Sequence, residues 1–459
     1  MFSTVARNAL RVAAGATVIG TVYYVAYPWT RTQRKDKILV VGGGTAGVGV
    51  AAMLQHEGMR NVTIVEPSSV HYYQPLWTLV GGGAKKKENS VKDMKAVLPS
   101  NTSWIKNAVK DIVPSENKVI LADGTRLDYD YLVVAAGMQT DWDAIPGLVD
   151  GLKQKDSGVV SIYDYNYCEK TWDTFQKLKN QAATYLFTFQ PVIKCAGAPQ
   201  KVMWLIEDNM RKDGVREKAD ITFCTPSPAM FGVQHYSDKL NAMRERKGVN
   251  ALFKHKLVSV DVPNKIATFE DIENKALVKK PYDLLHVAPM MSAPDFLKRS
   301  PISDDDGWVD VDKYTLQSKK YKNVFALGDC TNTPNSKTAA AITAQAPVVV
   351  HNLSRVIDGK EPDGAYNGYA SCPLIIGRDK VLLAEFTYGG KLAETFASDT
   401  GRWPFKYFGT DGEIQYRFFY LMKEQLFPFV YWNLWPRSLW YGTYGPLKPV
   451  VGASDRKGN

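Results

Sequence analysis

Cysteine is scarce in these 459 residues: Cys168, Cys195, Cys224, Cys330 and Cys372 are five in all, widely scattered. So sparse a set excludes the disulfide-dense scaffold of a small secreted domain, and any oxidised pair is expected to serve chemistry rather than stapling. Zinc-finger spacing, a recognition-helix pattern and repeated basic and aromatic modules are all missing. The formal charge of +10 therefore suits an anionic membrane surface, nucleic acid is not an expected partner, and no metal site is expected. No apolar run is clean enough over the roughly 20 residues of a confident membrane span. Acidic residues are absent before Asp36, where Arg7 and Arg11 precede a mostly apolar run over 12–27 and Arg31, Arg34 and Lys35 follow it. That pattern predicts a mitochondrial targeting segment over 1–36, with a retained anchor as the alternative; neither is a core element of the fold.

What is present is ordinary for a globular enzyme of two or three domains: 45% apolar and 23% charged residues. The chain is organised around residues 37–66, KILVVGGGTAGVGVAAMLQHEGMRNVTIVE. A β-branched run, 38–41, meets a glycine cluster, a helical Ala/Met/Leu segment follows, and a second apolar run ends in Glu66. Gly42, Gly44 and Gly47 hold the three spaced positions of a dinucleotide fingerprint, for the tight turn, the approach to a pyrophosphate and the close packing of helix on strand. Glu66 is placed to accept hydrogen bonds from a ribose.

Further along, YDYLVVAAG reads as a buried strand running into a glycine turn at Gly137, where the chain can contact a cofactor or cross to another domain. A middle domain is expected from about Asp141. Within it a strand near Phe189 leads to FQPVIKCAGAPQ, the place where a second fingerprint would stand, yet the G-x-G-x-x-G spacing is missing. The fold is expected to be kept there without an ordinary NAD(P) pyrophosphate site. Cys195 falls in that turn, at a helix start and next to a lysine, so a dipole and a charge both act to lower its pKa. A packed free cysteine is the competing account. Cys224 and Cys330 read as structural. KNVFALGDC gives another strand and turn at Gly328 and Asp329, with Lys337 just ahead of an alanine-rich helix. Asp329 can bond a cofactor hydroxyl, and Lys337 can hold negative charge.

Cys372 opens SCPLIIGRDK, a hairpin by its Gly377-Arg378-Asp379 turn, and only tertiary folding can bring it to Cys195. Residues 403–444 hold sixteen of the chain's aromatic side chains. There Ile414, Phe418, Leu421 and Met422 share one helical face, with Glu413, Arg417, Lys423 and Glu424 largely away from it, as in a helix lying in one membrane leaflet. A helix covering the core is the competing account.

The fingerprint, YLVVAAG and VFALGDC together resemble the two-dinucleotide-binding-domain flavoproteins, and KCAGAPQK, SCPL and the aromatic tail narrow the resemblance to the mitochondrial sulfide:quinone oxidoreductase family. The resemblance spans about 36–446. It implies an α/β fold with two Rossmann-like domains: an FAD-binding domain from 37–140 and 291–355, a second domain over 141–290, and a cysteine-bearing, membrane- and quinone-binding region over 356–459. It implies FAD at Gly42, Gly44, Gly47 and Glu66, with Gly328 and Asp329, and catalysis by Cys195 and Cys372, with Cys168 outside the catalytic set; Gly137 and Lys337 join the expected cofactor contacts from their own places in the sequence. The implied reaction starts with hydrosulfide attacking a Cys195–Cys372 disulfide, leaving a persulfide on Cys372 and a thiolate on Cys195. Glutathione, sulfite or sulfide then takes the sulfur, and two electrons pass through FAD to ubiquinone at the inner-membrane lipid surface. A type II NADH:quinone oxidoreductase and an apoptosis-factor-like flavoprotein without sulfide chemistry are the alternatives.

Overall fold

The structure, a computed structural model, describes residues 33–395 and 417–449. The expected targeting segment, for all but its last few residues, and the helical positions Glu413 and Ile414 lie outside the described residues.

Short apolar runs with no polar alternation are the signature of strands buried on both faces, and such runs build both central sheets. The first part of the chain supplies β1 (Ile38–Val41), β2 (Val62–Val65), β3 (Ser103–Ile105) and β4 (Tyr131–Val134). The helix α1 (Thr45–His56) links β1 to β2. The middle of the chain then builds a separate sheet from β5 (Val159–Val160), β6 (Ala183–Thr188), β7 (Ala219–Thr225), β8 (Asn250–Phe253) and β9 (Leu284–His286). Its order is β5-β9-β6-β7-β8, with every pair parallel. The helix α2 (Ala198–Lys212) follows β6. The chain returns with β10 (Val324–Ala326), which pairs with β4 and completes a parallel first sheet of order β10-β4-β1-β2-β3. The helix α3 (Ala339–Ile357) comes next, its N-terminus capped by the Thr338 hydroxyl accepting from the Ala341 N–H.

The architecture is therefore α/β, with two Rossmann-like parallel sheets. A hairpin of β11 (Ala370–Gly377) and β12 (Lys380–Phe386) turns where Gly377-Arg378-Asp379 predicted, and it packs against α2. The tail makes α4 (Arg417–Leu421), a π-helical turn over Met422–Leu426, and α5 (Phe427–Asn433). Its buried aromatics Phe419, Tyr420, Tyr431 and Trp435 belong to the same core as β1, β2, β4 and β10. Among the described residues no helix is long and apolar enough to cross a membrane.

The turn from β1 to α1, with Gly42 and Gly44, and the turn from β6 to α2, with Gly197, thus lie at the carboxyl ends of parallel strands, one in each sheet. In open α/β sheets that is where ligands bind.

Candidate active site

Steric fit makes the first turn. Gly42 has φ +102°, and a Cβ there would lie 2.5 Å from the Ala135 carbonyl oxygen. A Cβ on Gly47 would fall 1.8 Å from the Gly42 oxygen, so α1 packs directly on the loop only because that position has no side chain. Gly44, the N-cap of α1, faces open space and offers no side chain to its first-turn amides, which leaves them free for an anion. Glu66 accepts the N–H groups of Gly43 and Ser68, each at 2.8 Å, and so is oriented by the loop it serves. Gly137 at φ +67° and Gly328 at φ +79° complete the far wall. Gly42, Gly44, Glu66, Gly137 and Gly328 line a cleft of about 260 Å³ together with Asp329, Lys337 and Cys195, while Gly47 packs on the loop and does not line it. Free helix amides, the bare glycines of the lining and a carboxylate beyond β2 together fit a bound dinucleotide.

The second turn joins β6 to α2, and Cys195 stands in it. Its backbone takes φ +51°, the left-handed region that side chains other than glycine rarely adopt. Three contacts hold it there. The Cys195 N–H donates to the Lys337 carbonyl at 2.8 Å, while its own carbonyl accepts from Ala198 N–H at 2.8 Å and Tyr163 O–H at 3.4 Å. The strained turn thus aims Cys195 into the cleft at the point a second fingerprint would have occupied.

Cys372, buried on β11, meets Cys195 from behind. A Cβ on Gly197 would lie 2.5 Å from both Cys372 Sγ and Leu374 Cδ2, so the hairpin approaches α2 only over a bare glycine. Both cysteines are free in this structure. Buried Lys201 joins them: its Nζ donates to Cys195 Sγ at 3.4 Å and its ammonium also bonds Cys372. The Cys372 side-chain hydrogen bond and the Lys201 and Lys423 charges hold the Cys195 thiol well below its ordinary pKa, against the opposing effect of burial. Cys372, donating to that thiolate and desolvated, is pushed well above its own. Lys194, the sequence neighbour, contributes otherwise: burial lowers its pKa, and it faces Asp329. Burial raises the Asp329 carboxyl while Lys194 and Lys337 draw it down. Lys337 donates to the carbonyls of Thr331 and Thr333 at 2.6 and 3.1 Å, and burial lowers its pKa.

The remaining cysteines are inert by environment. Burial pushes Cys168 and Cys224 up to about 12 and Cys330 to about 11, so none forms a thiolate near neutral pH.

In the tail Phe418 and Leu421 are exposed, while Lys423, away from their face as the helical count places it, is buried at 5% exposure, donates to the Pro75 carbonyl at 3.2 Å and lines the cleft. Lys423 stands within the π-helical turn, Met422–Leu426. Desolvation, reinforced by the Lys201 charge, lowers Lys423 to about 7. Neither Lys201 nor Lys423 was assigned from sequence. Lys201 was within reach, since side chains lean toward a helix N-terminus and position 201 lies one turn into α2.

Replacing Gly197 with alanine is expected to part the two cysteines. After mild oxidation, thiol titration of the unfolded protein should then find two more free thiols in Gly197→Ala than in the parent. Lys201→Met removes the charge favouring the thiolate, so the pH midpoint of Cys195 alkylation in the reduced protein should move upward, whereas Lys201→Arg should leave it nearly in place.

Comparison with known proteins adds the following. Residues 36–182 match the pyridine nucleotide-disulphide oxidoreductase family model. The chain is 43% identical, over 88% of its length and 87% of the relative's, to the mitochondrial sulfide:quinone oxidoreductase of Mus musculus. A chain of the Tetrahymena thermophila mitochondrial ATP synthase composite tetramer superposes with TM-score 0.74 at 19% identity, covering 90% of this chain and 100% of that one. The sulfide:quinone oxidoreductase from Aquifex aeolicus superposes with TM-score 0.70, also at 19% identity, over 87% of this chain and 92% of its own. At such identities the two structures speak for the fold alone.

Proposed function

The chain belongs to the sulfide:quinone oxidoreductase family, and we propose that Cys195 and Cys372 are the redox pair through which it takes sulfur from hydrosulfide. It oxidises sulfide, uses FAD, and reduces a quinone. The observation carrying the cysteine assignment is the convergence of two sulfurs, 177 positions apart in sequence, on one buried ammonium.

The cycle follows from that arrangement. In the oxidised pair, hydrosulfide attacks Cys372 Sγ. A bond forms between the incoming sulfur and Cys372, the Cys195–Cys372 bond breaks, and Cys195 leaves as a thiolate. The direction rests on leaving-group acidity: the more acidic thiol leaves faster, and Lys201 and Lys423 favour the anion at Cys195. A nucleophilic acceptor such as glutathione, sulfite or a second sulfide then attacks the outer sulfur of the Cys372 persulfide and frees Cys372 as a thiolate. Closing the pair again releases two electrons. Bound FAD supplies the two-electron relay from that pair to the quinone. Gly42, Gly44, Gly47, Glu66, Gly137, Gly328 and Asp329 would hold it, and Lys337 would add positive charge beside it.

The tail serves the lipid end. Phe418 is 60% exposed and Phe429 56%, and Leu421 and Leu426 are exposed beside them, an outward apolar face on a segment whose other side is core. Apolar side chains presented in this way suit a leaflet, from which ubiquinone reaches the cleft past Pro75 and Lys423. With relatives named as mitochondrial, this supports a peripheral or monotopic place at the mitochondrial inner membrane.

Anaerobic stopped-flow absorbance tests the cysteine pair. Sulfide should bleach the flavin of the parent and a quinone analogue should restore it, whereas Cys195→Ser and Cys372→Ser should keep FAD and lose the bleaching. Bleaching by NADH in place of sulfide, or normal bleaching in both variants, would overturn the reading. Vesicle flotation tests the tail: Phe429→Asp should lower the fraction bound to anionic vesicles several-fold while sulfide-driven flavin reduction stays at the parental rate.

A further inference from the structure

The tail does more than present an apolar face; it is hydrogen-bonded into the dinucleotide loop. The Tyr431 hydroxyl lies 2.7 Å from Thr45 Oγ1 and 2.7 Å from His71 Nε2, and His71 Nδ1 lies 2.9 Å from the Gly43 carbonyl. A carbonyl only accepts, so Nδ1 carries the proton, Nε2 accepts from Tyr431, and Tyr431 in turn accepts from Thr45. One directed chain thus runs from Thr45 through Tyr431 and His71 to Gly43. The Trp435 indole N–H donates to the Thr45 carbonyl at 2.9 Å, and its ring occupies the space a side chain on Gly49 would need, a Cβ there lying 2.0 Å from Trp435 Cζ2. All three side chains from outside the loop, His71, Tyr431 and Trp435, are buried, so water cannot replace these bonds.

We propose that the seated C-terminal segment is a working part of the flavin site: Tyr431 and Trp435 are positioning residues that hold Gly43 and Thr45 in the loop conformation that receives FAD. Tail seating and FAD binding then favour each other by the same factor, because coupling between two binding events is reciprocal. A loop held before the ligand arrives loses less conformational freedom on binding, which is how the coupling arises. The chain that carries FAD is thereby the chain whose Phe418 and Phe429 face is built, so flavin loading and membrane contact are linked through one segment. The inference rests on FAD as the cofactor and not on the cysteine chemistry.

The test uses the full-length chain stripped of flavin and titrated with FAD alone, without sulfide or quinone, so its failure leaves the cysteine mechanism standing. Binding is read by quenching of FAD fluorescence, and tail seating by the rate of proteolytic cleavage within residues 417–449. Tyr431→Phe removes the bridging hydroxyl and keeps the ring; Trp435→Phe removes the indole N–H. Gly49→Ala approaches the tail from the opposite side, raising helix propensity in α1 while pushing Trp435 out. Each variant should bind FAD about tenfold or more weaker. FAD should slow tail cleavage in the parent, and the variants should need correspondingly more FAD for the same protection, a shift that general destabilisation does not produce. Parental FAD affinity in the folded variants, or tail cleavage in the parent that FAD leaves unchanged, would overturn the proposal. Should one variant fail to fold, the other two decide.

Discussion

A buried ammonium held against two sulfurs is the interaction on which the rest of this structure depends. Lys201 is almost without solvent, and such a cation is tolerated only where an anion compensates its lost hydration. Cys195 supplies that anion, and the pair stabilise each other's charged forms. The geometry needs three supports: the left-handed turn at Cys195, the bare Gly197 that admits the hairpin, and the lean of Lys201 toward the start of its helix. All three lie within residues 195–201, so one short turn and helix start carries the whole arrangement.

The second sheet shows how one architecture carries two chemistries. Its β6–turn–α2 unit has the form of a dinucleotide-binding turn, with a helix N-terminus at the carboxyl end of a parallel strand. The first turn spends its glycines on a tight bend and on close packing of helix on loop. The second puts Cys195 and Lys201 in the same relative place, so an ammonium group favours a thiolate. Both turns open on one cleft, since Lys337 beyond the first sheet holds the Cys195 amide of the second. A cofactor seated by one sheet is therefore next to the sulfur carried by the other.

The tail has two sides. Its inner aromatics are core, its outer ones are exposed, and Lys423, within its π-helical turn, lines the cleft. Such widened turns recur at functional sites. Here the buried lysine lies on the opposite side of the helix from exposed Phe418 and Leu421.

Much of this was legible in the chain itself. Local rules are enough for Gly42, Gly44 and Gly47, for β1 and β2 with Glu66 beyond them, and for the hairpin at Gly377-Arg378-Asp379, because each depends on neighbours a few residues away. The scarcity of cysteine and the missing second fingerprint likewise narrow the chemistry. What sequence could not decide was proximity. Cys372 reaches Cys195 through the packing of a hairpin on a helix, a matter of backbone approach across 177 positions. Lys423 enters the cleft because the side of its helix opposite Phe418 and Leu421 is seated against the rest of the protein, which spacing alone does not decide. The sequence by itself determined which residues could carry redox chemistry and where a dinucleotide would lie. Only the tertiary structure decided which lysine charges the thiolate, since electrostatic energy follows distance and burial in space and not separation along the chain.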